Sequence, residues 1–148
     1  MAFRTFADVF LVLTRDDRVL LALRENTGYA DGQWNLPSGK VEADEDLAAA
    51  MVREAREEVG LRLTPDQLRL ANVVHHRNPG EEARLGFFFA VEGPAGEPRN
   101  AEPHKCGGLD WFPLSELPAN TVPYTVAGLD LFRAGCTYGR HGWDPSAW

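Results

Sequence analysis

Apolar and β-branched residues alternate with polar ones over 7–14, 18–24, 68–76 and 84–91, and this period of two predicts four strands. Arg15-Asp16-Asp17 forms a turn between the first two, which reads as a hairpin. Asn78-Pro79-Gly80 separates the last two, which read as antiparallel neighbours. The period changes over 44–59, where Ala48, Met51, Val52, Ala55 and Val59 recur at helical spacing before Gly60, a C-terminal stop. Asp44 or Asp46 caps the start of that helix. A second helix is expected over 123–134, after a long loop over 92–108 and a short strand over 109–113. The stretch 25–46 is dense in Gly, Asn, Asp and Pro and reads as a loop broken by a short extended piece at 34–37. Loops of this length inside a domain commonly carry function. Strands flanking one central helix, with another helix near the end, predict an α/β fold with a mixed sheet sandwiched between helices.

A chain of 148 residues with 44% hydrophobic and 25% charged positions is expected to bury one core without disulfides or a structural metal. The net charge of −7 argues against broad nucleic-acid binding, which replaces counterions with Lys and Arg. It leaves room for a small nucleotide, because a divalent metal bridges two negative partners. Asp8 precedes the apolar run 9–13, which is wrong for a signal peptide, and no stretch approaches the roughly 18 apolar residues of a membrane span. Cys106 and Cys136 show no zinc or disulfide spacing. The expectation is a cytoplasmic protein without membrane partners, with a homodimer left open.

Glu54, Glu57 and Glu58 stand at i, i+3 and i+4, so their carboxylates share one side of a helix whose other side is apolar. Like charges at this spacing repel, and Arg53 and Arg56 offset only part of that repulsion. Spacing alone also fits a solvated Glu/Arg face. The wider pattern decides between them: Gly39, five residues, Glu45, seven residues, then Arg53-Glu54-Ala55-Arg56-Glu57-Glu58-Val59-Gly60-Leu61. It resembles the Nudix box at every constrained position. Seven of those positions are fixed letters, and chance agreement at a given start is on the order of 10⁻⁸ for residues used at roughly 7% each. Trp34-Asn35-Leu36-Pro37 is similar to the family's approach to the box, although many relatives have Gly where Ser38 stands.

The resemblance implies a Nudix-like α/β/α sandwich, with a mixed sheet and a catalytic helix after the Nudix loop, as a single domain over 1–148. It implies a MutT-like, Mg²⁺-dependent hydrolase, with Mn²⁺ also supporting activity, that cleaves a diphosphate linkage in a nucleoside triphosphate or related derivative. It places Glu54, Glu57 and Glu58 as metal ligands, with the backbone carbonyls of Ser38 or Gly39 nearby and Arg53 holding the glutamates by charge-assisted hydrogen bonds. Glu45 reads as a structural partner of Arg53. In the family the general base comes from the helix or from a loop glutamate. Here the loop offers Glu97 and Glu102, with Glu102 favoured as base or extra ligand and a solvated loop acid as its alternative.

Arg24 and Lys40 are similar to phosphate-binding basic positions of MutT-like relatives, and Asn120 to an Asn that reads a purine edge; a turn or N-cap Asn is the other reading of Asn120. Tyr29, Trp34 and one of Phe87, Phe88 and Phe89 are candidates to stack on a base, while Trp111 and Phe112 read as packing. His75 and His76 are adjacent on a strand and must face opposite sides. Hydrolysis of ADP-ribose, a nucleotide sugar or a dinucleoside polyphosphate is the alternative within this chemistry, and a nucleotide-sensing module without turnover is the alternative outside it.

Overall fold

The computed structural model describes residues 2–144. Its elements run β1 (Phe6–Val12), β2 (Thr14–Arg15), β3 (Arg18–Arg24), β4 (Trp34–Asn35), β5 (Ser38–Lys40), α1 (Leu47–Val59), a 3-10 turn (Pro65–Gln67), β6 (Leu68–His76), β7 (Arg84–Val91), β8 (Cys106–Pro113), α2 (Pro123–Ala134) and β9 (Tyr138–His141). Five strands form a mixed sheet in the order β5-β1-β7-β6-β9, with β1 parallel to β7 and β6 parallel to β9. A second sheet centres on β3, which pairs with β8 on one edge and with β2 and β4 on the other.

Both faces of β1 are apolar, and this fixes its central place. Val9 and Leu11 enter one core cluster with Ala50, Met51, Ala55 and Val59 of α1. Phe10 and Val12 enter the other with Val74, Phe88 and Leu129, under α2. A strand buried on both faces needs a helix on each, which produces the α/β/α sandwich.

The expected hairpin is corrected in part. Asp16 and Asp17 turn at φ 51° and 64°, the paired left-handed geometry of a two-residue hairpin loop that Asp tolerates. They join only β2 to β3, while residues 6–12 cross to the other sheet and pair with β5 and β7. The helix starts at Leu47 rather than 44, because the Asp46 side chain accepts from the Ala49 N–H at 2.7 Å while Asp44 sits at φ 67°. The strand expected from 109 begins at Cys106, and the tail contains β9, absent from the sequence reading. Among the described residues no helix is long and apolar enough to cross a membrane.

Candidate active site

Two backbone devices set the carboxylate cluster. At the front of α1, β5 lies antiparallel to β1, and the Ser38 N–H donates to Oε2 of Glu58 at 3.0 Å. Gly39 has no side chain where Glu54 lies against it, and a Cβ there would overlap the Glu54 carboxylate. At the back, Gly60 takes the left-handed conformation at φ 67° and ends the helix. The freed carbonyls of Glu58 and Val59 accept from the N–H groups of Ala101 and Arg99, at 3.1 and 2.9 Å. That seam pins the loop before β8 to the end of α1, and Glu102 comes to line the same cleft as Glu54 and Glu58.

Arg53 is the organiser of the cluster. Its Nε and Nη2 donate to the two carboxylate oxygens of Glu45 at 3.0 and 2.7 Å, and Nη1 donates to Glu54 at 2.8 Å and Glu57 at 3.3 Å. Nη2 also reaches the carbonyl of Lys40 at 3.2 Å, tying helix to loop. The hydrogen bonds from Arg53 hold the Glu45 carboxyl down to about 2. Glu54 and Glu58 go the other way. Burial, and then the charge of Glu54, push Glu58 up to about 8, and burial raises Glu54 despite its bond to Arg53. Two enclosed carboxylates that resist ionisation beside each other favour a hard cation, and oxygen donors alone suit magnesium or manganese. The donor set therefore fits such an ion. Among the described residues no three acidic, His or Cys side chains already converge on one point; Arg53 holds Glu54 and Glu57 by hydrogen bonds.

The cleft measures about 740 Å³, within the range of a small-ligand site. Arg24, Ser38, Gly39, Lys40 and Arg53 line it with the four acids Glu54, Glu57, Glu58 and Glu102. Arg24 turns its guanidinium onto the loop above, donating to the carbonyl of Tyr29 at 2.7 Å and to Oγ1 of Thr27 at 3.0 Å. The Lys40 ammonium stands 5.4 Å from the centre of the Phe6 ring. Glu97 pairs instead with Arg15 at 3.2 Å, away from the cleft.

Asn120 lies in the turn that precedes α2. It is exposed and outside the cleft lining, and its side-chain amide donates to the carbonyl of Gly32 at 2.9 Å while its backbone carbonyl accepts from the Trp34 N–H. The N-cap of α2 is Val122, so of the turn and N-cap alternatives the turn is the one seen. The residue staples the long loop to the segment before α2. Of the stacking candidates, Tyr29 lines the cleft, while Trp34 packs edge-on against Phe112 and Phe88 and Phe89 are core. His75 and His76 do face opposite sides, toward Trp143 and Tyr124.

Cleft residues that sequence reasoning missed are Asp8, Arg84, Tyr124 and Lys105. Asp8 carried a signal, a charge at the mouth of an apolar strand, but nothing in spacing joins it to Arg84, 76 positions away.

Comparison with known proteins agrees with this geometry. The crystal structure of a MutT NUDIX hydrolase from Burkholderia pseudomallei superposes with a TM-score of 0.78 and 31% identity, covering 87% of this chain and 98% of that one. The 8-oxo-dGTP diphosphatase of Proteus vulgaris is 32% identical over 82 residues, 55% of this chain and 71% of that protein. The human 8-oxo-dGDP phosphatase NUDT18 is 31% identical over 108 residues, 72% of this chain, and the match spans 31% of that protein's length. The family model described as the NUDIX domain matches residues 4–129. A match of that extent, laid over a helix on which Arg53 binds the box glutamates Glu45, Glu54 and Glu57, shows that the chain belongs to the Nudix hydrolase family.

Proposed function

We propose that the protein hydrolyses a diphosphate linkage of a nucleoside triphosphate, or a related nucleoside diphosphate derivative, in a Mg²⁺-dependent reaction that Mn²⁺ also supports. The observation that carries this reading is the part-buried Glu58, whose carboxylate is bonded to the Ser38 N–H and raised to about 8 beside Glu54. Such a group is held ready for a cation rather than for solvent.

Glu54, Glu57 and Glu58 would hold the ion, with the Ser38 and Gly39 carbonyls beside them. When bound, it supplies neutralising charge to the phosphoryl oxygens and makes water a stronger nucleophile. Arg53 keeps the helix glutamates aimed into the cleft and fixes them to the box loop through Lys40. Glu102 faces the cluster from the opposite loop and accepts a proton from the attacking water. Lys40 and Lys105 line the cleft as cations for the phosphate chain, and Arg24 joins them by exchanging its loop carbonyl for a phosphate oxygen. Relatives named 8-oxo-dGTP diphosphatase and CTP pyrophosphohydrolase support nucleoside triphosphates as the class to test first.

The test is a screen of nucleoside triphosphates, ADP-ribose and nucleotide sugars for released phosphate products. Turnover is expected with Mg²⁺ or Mn²⁺ and is lost with a chelator. Turnover that persists in metal-free buffer refutes the proposal.

A further inference from the structure

The cleft has a second charged wall, apart from the glutamates. Asp8 on β1 is only 7% exposed, and Arg84 on β7 grips it with two hydrogen bonds, Nε to Oδ2 and Nη2 to Oδ1, each 2.7 Å. The Tyr124 hydroxyl donates to the same Oδ2 at 3.2 Å. Gly86 is the β7 residue opposite Asp8, and a Cβ there would overlap that hydroxyl. The missing side chain lets the phenol reach the carboxylate. Beside it Phe10 stacks on Phe88 at 4.3 Å and meets Tyr124 edge-on at 4.9 Å, giving the wall an apolar floor. Asp8, Phe10, Arg84 and Tyr124 line the cleft, and so does Tyr29.

Sheet packing does not call for this pair, since apolar residues of similar volume commonly serve at least as well as a buried ion pair. Its acceptor count suggests recognition. A carboxylate has about four acceptor positions; Arg84 and Tyr124 fill three of them, which leaves one on Oδ1. Both neighbours are donors, so the remaining position accepts one more. The carboxylate is recessed, and an amine projecting from a ring reaches it more readily than an N–H within the ring. A carbonyl oxygen projecting to the same place meets a carboxylate oxygen and is repelled.

Resting on the reading of this cleft as a nucleotide site, we propose that Asp8, oriented by Arg84 and Tyr124, sets base specificity by accepting a hydrogen bond from an exocyclic amino group. Adenine, cytosine and guanine carry such a group, and their deaminated counterparts hypoxanthine, uracil and xanthine carry a carbonyl in its place. Arg84 has N–H groups to spare for the neighbouring ring nitrogen or carbonyl, and Tyr29 closes over the ring.

The experiment measures kcat/KM with Mg²⁺ for three matched pairs, ATP with ITP, CTP with UTP, and GTP with XTP, and Kd for the same pairs by calorimetry. Wild type should prefer the amine in its best pair by at least about 10-fold, and Asp8→Asn should bring that ratio to within about 2-fold, because a site built to pair a polar group discriminates strongly against its absence. Tyr124→Phe keeps the ring and removes the hydroxyl that orients Asp8, so it should lower the amine preference by about 3-fold or more. This variant decides the matter if Asp8→Asn does not fold. A ratio near one in every wild-type pair, or a ratio unmoved by a folded Asp8→Asn or by Tyr124→Phe, overturns the proposal. Hydrolysis without discrimination overturns it alone. Binding with the amine preference but no turnover supports it and refutes hydrolysis of these triphosphates, and neither binding nor turnover refutes both it and the triphosphate reading.

Discussion

The Ser38 N–H donates to Glu58 across 20 positions of sequence, at 3.0 Å, and so joins the box loop to the helix at the carboxylate raised to about 8. A carboxylate in that setting weakens the metal-free fold when it ionises.

Glu58→Gln tests that relationship. The amide keeps an oxygen for the Ser38 N–H and removes the charge that burial and Glu54 oppose. The variant should melt at the same temperature as wild type or higher in metal-free buffer, gain less from added Mg²⁺, and lose at least about 10²-fold in kcat, the scale of losing a positioned catalytic group. Calorimetric melting with and without Mg²⁺, alongside steady-state rates, checks it. Near-normal kcat would reassign the helix face to structure.

Gly39→Ala should be damaging despite its small size, because the added methyl occupies the place of the Glu54 carboxylate. The Glu54 side chain is flexible and can swing aside with little loss of stability, but displacing it from Arg53 should lower kcat by at least about 10²-fold. Denaturant unfolding and kinetics read the two effects separately. A variant with wild-type rate would show that Glu54 can leave its position without consequence.

Asn120→Ala should act on stability alone. It removes the hydrogen bond to the Gly32 carbonyl, worth about 0.5–1.5 kcal/mol, so the melting temperature should fall by a few degrees at most, roughly 2–4 °C per kcal/mol in a domain of this size. The ratio of kcat/KM for a purine and a pyrimidine triphosphate should stay as in wild type. A selective loss on the purine would return Asn120 to base recognition.

The pH dependence of stability should carry a histidine signature. His76 is 2% exposed, stacks on Tyr124 at 4.1 Å, and its Nδ1 lies 2.9 Å from Nδ1 of His141 on β9. Burial, then the charge of His141, hold its pKa below the ordinary 6.5; Arg84 also lowers it and Asp8 opposes the shift. The unfolded chain thus takes up a proton at a pH where the native protein does not. This contribution to stability is complete above about 6.5 and declines as pH falls through the lower native value. Melting temperature should drop on acidification below about 6.5 in wild type and drop less in His76→Phe, which keeps a ring against Tyr124 and removes the proton site. Equal slopes in the two proteins would assign the loss to other groups.

The sequence determined the local elements and the family pattern laid over them. Period-two and period-3.6 patterns marked β3, β6, β7, α1 and α2 near their observed bounds, since burying one face imposes that spacing on the chain. Helical spacing put Glu54, Glu57 and Glu58 on one side of α1, because residues three and four apart on a helix are neighbours whatever surrounds them, and the resemblance to the Nudix box singled them out with Arg53, which bonds Glu54 and Glu57. Tertiary structure decided what depends on distant chain segments. The path of β1 across the two sheets, the docking of β9 on β6, and the pairing of Asp8 with Arg84 and Tyr124 rest on registers between strands and on an absent Cβ at Gly86. No local period encodes these. Asn120 is a case where the sequence left a base reader and a turn or N-cap residue open, and the fold sets it in a turn with its amide on the Gly32 carbonyl.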